Sequence, residues 1–274
     1  MIGAVKAEQP ELTVVVPAFN EEANVESMHR RLAEALDGVV EGLEIIFVDD
    51  GSSDETWPRV QDLSARDDRV CGIRFARNFG HQAALTAGVD AAAGRAVVII
   101  DGDLQDPPEV IPQLVERWRE GYDVVLATRT TREGETWLKR ATASAFYRLI
   151  RRVSPTEIPA NTGDFRLLDR RAVEALALLR ERNRFMKGLL SWGGFRQAVV
   201  TYERAPRHAG RTTWSYWRLW NFALDGIFSF SNLPLQVWTY LGLSISGLAF
   251  LYALFVVVKT IVRGVDEPGY ASLM

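Results

Sequence analysis

The chain has 274 residues, 47% of them hydrophobic and 24% charged, a globular composition with room for one large domain or two small ones. Its 21 glycines and 11 prolines follow no period, which excludes a collagen-like chain, and the apolar fraction excludes disorder. A net charge of −3 offers no basic field for nucleic acid; the single cysteine, Cys71, excludes an intrachain disulfide; and the scattered histidines His29, His81 and His208 give no zinc-type spacing.

Residues 1–10 are neither apolar nor basic enough for a secretory signal, so a flexible N-terminus leading into a cytosolic domain at 11–212 is expected. Short β-branched runs then alternate with helical patterns. Leu12–Val16, Glu44–Val48, Val70–Phe75, Ala96–Ile100 and Val124–Ala127 read as strands, and Val25–Leu36, Thr56–Ala65, Gln82–Ala93 and Pro108–Glu120 as helices between them. That alternation predicts an α/β fold with a mostly parallel sheet and helices on both faces. Ligands of such sheets bind beyond the carboxyl ends of the strands, so the residues just after each run are the informative ones.

Three of those ends are acidic: Pro17-Ala18-Phe19-Asn20-Glu21-Glu22, Asp49-Asp50-Gly51-Ser52-Ser53-Asp54 and Asp101-Gly102-Asp103-Leu104-Gln105-Asp106. Ser52, Ser53 and Asp54 have the composition of a turn and helix cap. Asp101 and Asp103 are different, because two carboxylates one residue apart at the end of an apolar strand repel and raise each other's pKa unless a cation joins them. With Gln105 as a neutral donor the set is oxygen-only and suits Mg²⁺ or Mn²⁺, completed by substrate phosphates. Neither GxxxxGK[ST] nor GxGxxG is present, so a P-loop ATPase and a dinucleotide dehydrogenase are both disfavoured. Phosphates held by metal in place of a glycine cradle suggest a nucleoside diphosphate as leaving group.

The C-terminal part has another character. In Trp214–Phe230, the residues Trp214, Trp217, Trp220, Leu224 and Phe228 recur at helical spacing, which suits an amphipathic helix at 213–231 lying in a membrane interface or packed on the soluble domain. No charge occurs from Gly226 to Val258, and the run from Leu233 to Val258 exceeds the about 20 apolar residues that cross a bilayer. A transmembrane helix is therefore expected at 232–262, with Trp238 and Tyr240 near one end and Lys259 and Arg263 at the other. Arg204, Arg207 and Arg211 favour a cytoplasmic location for the preceding domain.

Taken together, VPAFNEE (Val16–Glu22), VDDGSSDET (Val48–Thr56) and IDGDLQDPPE (Ile100–Glu109) resemble the family 2 inverting glycosyltransferases of GT-A fold. TGDFRLLDRRAVEAL (Thr162–Leu176), RFMKGLLSWGGFRQ (Arg184–Gln197) and YERAPRHAG (Tyr202–Gly210), followed by membrane helices, are similar to the polyprenyl-phosphate branch, and GDFRL is closer to its bacterial glucosyltransferases. The resemblance implies a Rossmann-like catalytic domain at the plasma (inner) membrane, facing the cytoplasm. It also implies a nucleotide sugar and a polyprenyl phosphate as partners, a homo-oligomer being possible. Carried over by position, Pro17, Phe19, Glu21, Val48 and Asp50 would line the nucleoside pocket, joined by Asp101, Gly102 and Arg207. Asp101, Asp103 and Gln105 would hold the metal and diphosphate. Arg129, Lys139 and Arg140 would meet the acceptor phosphate. Where that branch continues Gly-Glu-Ser-Lys-Tyr, this chain reads Gly210-Arg211-Thr212-Thr213-Trp214, which leaves phosphate contact there to Arg207 and Arg211. The branch carries two membrane helices, so residues 263–274 are expected as a loop and the start of a second one in a truncated chain.

The implied reaction passes a hexose, UDP-glucose being the expected donor, to an undecaprenyl-type phosphate with inversion to a β-linkage. A lipid monophosphate has its second pKa near about 6 and so needs little help from a base. Asp103, Arg129 and Asp164 are then the expected catalytic residues. Asp164 sits either in the acceptor or sugar pocket or in a pair with Arg166 or Arg170, and His81 either touches the donor or caps a helix. A GDP-mannose-using transferase is an alternative. A processive polysaccharide synthase is another, but its Gln-x-x-Arg-Trp motif has only the overlong match Gln113…Arg117-Trp118.

Overall fold

The computed structural model describes residues 9–129, 162–178, 194–203 and 233–264. Lys139, Arg140, Arg207, Arg211 and the expected interfacial helix at 213–231 lie outside the described residues. The chain divides into two compact units, Met1–Trp220 and Asn221–Met274.

In the first unit the elements run β1 (Leu12–Ala18), α1 (Val25–Leu36), β2 (Leu43–Asp49), α2 (Thr56–Arg66), β3 (Val70–Arg74), α3 (His81–Ala91) and β4 (Ala96–Ile99). They continue through a short 3₁₀ turn (Pro108–Val110) into α4 (Ile111–Arg119), then β5 (Val124–Arg129), β6 (Thr162–Asp169), α5 (Arg170–Leu178) and β7 (Gln197–Tyr202). The seven strands form one sheet in the order β3-β2-β1-β4-β6-β5-β7. Every neighbouring pair is parallel except those made by β6, which runs antiparallel between β4 and β5. The expected mostly parallel α/β sheet is present. β6, α5 and β7 add to the strands and helices expected from the sequence.

The two faces of the sheet make two cores, and strand alternation decides which side chain joins which. Val14 and Val16 of β1 point to the face covered by α1, α2 and α4, where they meet Met28, Leu32, Val60, Leu114 and Trp118. Val15 between them points to α3 and α5, with Leu85, Val89, Val173 and Leu176. Because both faces are covered, β1 is buried along its whole length, and apart from Thr13, whose hydroxyl donates to Glu44, it carries no polar side chain. In α3, Gly88 lets the helix lie almost on the sheet: a Cβ there would stand 2.2 Å from Val15 Cγ1 and 3.1 Å from Val48 Cγ2. At the carboxyl edge Gly102 does the same for the backbone, since its Cβ would stand 2.9 Å from the Pro17 carbonyl oxygen.

In the second unit, α6 (Leu233–Arg263) is a single helix of 31 residues. Its Val237–Arg263 stretch is long and apolar enough to cross a membrane by length and composition. Leu243, Leu248, Phe250, Leu251 and Phe255 along it are exposed.

The tight seating of α3 makes a stability prediction. Gly88→Ala should overpack the contact with Val15 and lower the unfolding free energy by about 1–3 kcal/mol, read from the urea midpoint of the folded chain. An unchanged midpoint would mean that α3 stands farther from the sheet.

Candidate active site

The loops after β1 and β2 are sewn to each other. Asn20, with φ 56°, donates its N–H to Ser52 Oγ at 2.9 Å, and its Oδ1 accepts the Ser53 N–H at 3.0 Å. The Glu21 N–H reaches Thr56 Oγ1 at 2.8 Å, and Asp54 Oδ1 accepts the Thr56 N–H two residues on at 3.0 Å, the bond of an Asx turn. Asp50, buried at the end of β2, turns its carboxylate to the loop before α3, accepting the N–H of Phe79 at 2.7 Å and of Gly80 at 3.0 Å. Gly51 adjoins that loop so closely that a Cβ would stand 2.4 Å from the Arg77 carbonyl carbon. Of the residues expected around a nucleoside, Phe19 is exposed at this edge and Pro17 is buried in β1. Val48 is fully buried in the core under α3, because its place in β2 points it to that face.

The acidic centre forms where β4 and β6 end. Their antiparallel register pairs Ile99 with Arg166, so two residues further on Asp101 comes opposite Asp164. His81, the first residue of α3, lies across both, its Nε2 at 3.5 Å from Asp101 Oδ1 and 3.3 Å from Asp164 Oδ2. Asp164 is also held from beneath. Arg166, only 1% exposed, donates from Nη2 to Asp164 Oδ1 at 3.0 Å and to the Gly163 carbonyl at 2.9 Å, and from Nε to the Asp164 carbonyl at 3.1 Å. Asp164 therefore pairs with Arg166, while Arg170 binds the Ala92 and Gly94 carbonyls.

Asp101 Oδ1 is buried without a hydrogen-bond partner. Burial pushes this carboxyl up to about 6; His81 opposes the shift, and Asp164, Asp106 and Asp103 add to it. Asp103 follows at the turn, where its Oδ1 accepts the Gln105 N–H at 3.2 Å and Leu104 takes a left-handed φ of 58°. Backbone strain of that kind persists only where the surroundings over-determine it. Gln105 is buried beside it.

Arg129 closes the other side. It is the last residue of β5, in register with Tyr202 of β7. Its Nη2 reaches Asp106 Oδ1 at 3.2 Å, its Nε donates to Tyr202 Oη at 3.2 Å, and the Tyr202 hydroxyl donates to Asp106. Neither Asp106 nor Tyr202 was expected as a site residue; the only sequence signal was their membership of the IDGDLQDPPE and YERAPRHAG segments.

Among the described residues no cluster of three His, Cys, Asp or Glu side chains is suited to hold a metal ion. What Asp101, Asp103 and Gln105 offer is a partial shell: oxygen donors only, one of them a buried carboxylate oxygen with no partner. That set fits a hard divalent cation whose other positions go to phosphate oxygens.

The chain is similar to known proteins. The Glycosyl transferase family 2 model matches residues 13–177. The chain belongs to glycosyltransferase family 2. This family 2 enzyme is 55% identical over 264 residues to an uncharacterized glycosyltransferase of Synechocystis, covering 96% of this chain and 83% of that one. It is 47% identical over 263 residues to the bactoprenol glucosyl transferase of Shigella phage SfV, covering 96% and 86%. Among solved structures, S. aureus TarS 1–349 in complex with UDP-GlcNAc aligns with a TM-score of 0.53 at 16% identity, over 79% of this chain and 65% of that one, a likeness of fold.

For this glycosyltransferase the elevated Asp101 carboxyl has a pH consequence. Its folded pKa of about 6 exceeds the ordinary 3.8, so the folded chain binds the proton more tightly than the unfolded chain does. Stability from this group is therefore full below about pH 4 and is lost as the pH rises through about 6. With divalent ions chelated, Asp101→Asn should be more stable than the parent at pH 7.5 by roughly 1–3 kcal/mol, and the difference should vanish near pH 4 in urea titrations.

Proposed function

We propose that this glycosyltransferase passes a hexose, with UDP-glucose as the donor, to an undecaprenyl-type polyprenyl phosphate, with inversion to a β-linked lipid phosphate sugar. The observation that carries the reading is that one sheet edge holds both a buried Asp101 oxygen that makes no hydrogen bond among the described residues and the guanidinium of Arg129, itself bound to Asp106. One suits a cation and the diphosphate of a donor, the other the phosphate of an acceptor. The bactoprenol glucosyl transferases among the relatives support the acceptor class, and the apolar α6 supports an enzyme that works at a membrane. A plasma-membrane location with the catalytic unit in the cytoplasm follows from the same reading.

The lipid monophosphate is largely dianionic at neutral pH, its second pKa being about 6. It attacks without a base, forming a bond from phosphate oxygen to the anomeric carbon as the bond from that carbon to the nucleoside diphosphate breaks and the electron pair leaves with the diphosphate. An α-linked donor attacked from the opposite face gives a β-linked product. The work left to the protein is alignment and charge. Arg129 holds the acceptor phosphate in line, a task suited to the forked guanidinium, and Lys139, Arg140, Arg207 and Arg211 are proposed to assist. Phe19 and Asn20 border the nucleoside, and Asp50 holds the loop beside it. A divalent cation held by Asp101, Asp103 and Gln105 would neutralise charge on the departing diphosphate. Asp164, fixed by Arg166 and facing His81, borders the sugar.

Membranes carrying the protein, given radiolabelled UDP-glucose and polyprenyl phosphate, should move label into the organic phase. Label in polymer or protein would overturn the acceptor, and label only from GDP-mannose would overturn the donor. Asp103→Ala should reduce transfer at least about a hundredfold, and chelation by EDTA should do the same. Transfer that survives EDTA would remove the metal from the scheme. Arg129→Ala should raise the concentration of polyprenyl phosphate needed for half-maximal rate, with the nucleotide-sugar requirement unchanged.

A further inference from the structure

Asp106 is fully buried at the end of the Asp101–Asp106 turn. A carboxylate taken out of water needs partners that replace its hydration, and removing any one of them is costly. Asp106 has two: the Tyr202 hydroxyl, and Arg129 Nη2 at 3.2 and 3.4 Å from its two oxygens. These two are also joined to each other, by Arg129 Nε donating to Tyr202 Oη at 3.2 Å. The result is a closed ring of three side chains from three places in the chain, the turn after β4, the end of β5 and the end of β7.

The surroundings make the ring rigid. Tyr202 is buried, and its ring stands edge-on to Phe165 at 5.6 Å between centroids. Burial and the charge of Asp106 keep its hydroxyl protonated, so it remains a donor to that carboxylate. The guanidinium lies against Gly163, where a Cβ would stand 3.1 Å from Nη2, so β6 is bare where the side chain rests. With Nε and Nη2 engaged, Nη1 is the part of the fork that makes no hydrogen bond among the described residues.

We propose that Asp106 and Tyr202 are positioning residues that lock Arg129 in one rotamer and leave its Nη1 edge for the acceptor phosphate. The inference rests on the proposed role of Arg129 as a phosphate-binding residue. A long side chain at a strand end pays rotamer entropy each time it grips a ligand. Here two hydrogen bonds and a buried counter-charge fix it beforehand, and preorganised donors of this kind align a nucleophile without reorganising.

Kinetics with UDP-glucose and polyprenyl phosphate, on the full chain in membranes, test this. Tyr202→Phe keeps the ring and its packing and removes only the hydroxyl. It should raise the KM for polyprenyl phosphate roughly tenfold, the loss expected for one hydrogen bond to a charged group, and leave the KM for UDP-glucose unchanged. Asp106→Asn should act in the same direction; if it fails to fold, Tyr202→Phe decides. In an Arg129→Ala background, Tyr202→Phe should add no further change in acceptor KM, since a residue acting through Arg129 has nothing left to position. An effect of Tyr202→Phe equally large in that background, or no effect in the parent, overturns the inference while leaving the proposed function standing. An Arg129→Ala enzyme with unaltered acceptor KM overturns both the phosphate-binding role of Arg129 and the inference built on it.

Discussion

Carboxylates crowded at one edge of a buried sheet are the constraint on which the rest of the structure depends. Asp101 and Asp106 lie on one turn, with Asp103 between them, and β6 brings Asp164 alongside. Like charges in that space are tolerable only if each is compensated or kept protonated. The fold compensates two of them and leaves a third raised in pKa. Asp164 receives the fully buried Arg166, Asp106 receives Arg129 and a tyrosine hydroxyl, and Asp101 keeps one oxygen with no hydrogen bond and a pKa of about 6. The imbalance at Asp101 is a cost to the fold, and a cation bound at that oxygen would relieve it.

The sheet topology makes the crowding possible. Parallel strands all end at the same edge, so β1, β2, β4 and β5 deliver Pro17, Asp50, Asp101 and Arg129 there without special turns. β6 runs the opposite way and contributes its beginning to that edge, through Gly163, Asp164 and Arg166. Alternation along β6 then divides its residues. Phe165 and Leu167 join the core beneath α1, α2 and α4, while Leu168 joins the core with α3 and α5. One strand thereby serves both cores and the acidic centre.

Under the proposed function, this division of labour would suit glycosyl transfer to a phosphate. An acceptor that is already anionic needs alignment and charge relief more than a base, and the site supplies clamped cationic groups beside oxygen donors. The second unit adds a helix whose exposed apolar side chains suit a lipid phase. A soluble nucleotide sugar and a lipid phosphate differ in where they are found, and a chain with both a doubly covered sheet and such a helix has features suited to each.

Much of this was legible in the amino-acid order. The β-branched runs, the acidic strand ends and the uncharged stretch up to Val258 determined the α/β class, the parallel strands, the edge that carries the acidic centre and the apolar helix, because each is a local pattern repeated over several residues. β6 escaped because it carries Asp164 and Arg166 among its apolar residues, and charges that a buried strand tolerates only when they pair cannot be told from a loop without the partner in view. Val48 likewise resembled a pocket residue by motif, while its pleat position turns it into the core under α3. The approach of Asp101 to Asp164, the burial of Arg166 beneath them, and the ring of Asp106, Arg129 and Tyr202 were decided by tertiary structure alone. Their members stand 63, 2, and 23 to 96 positions apart, and only the antiparallel register of β4 with β6 and the parallel register of β5 with β7 bring the distant ones within hydrogen-bonding or Coulombic reach.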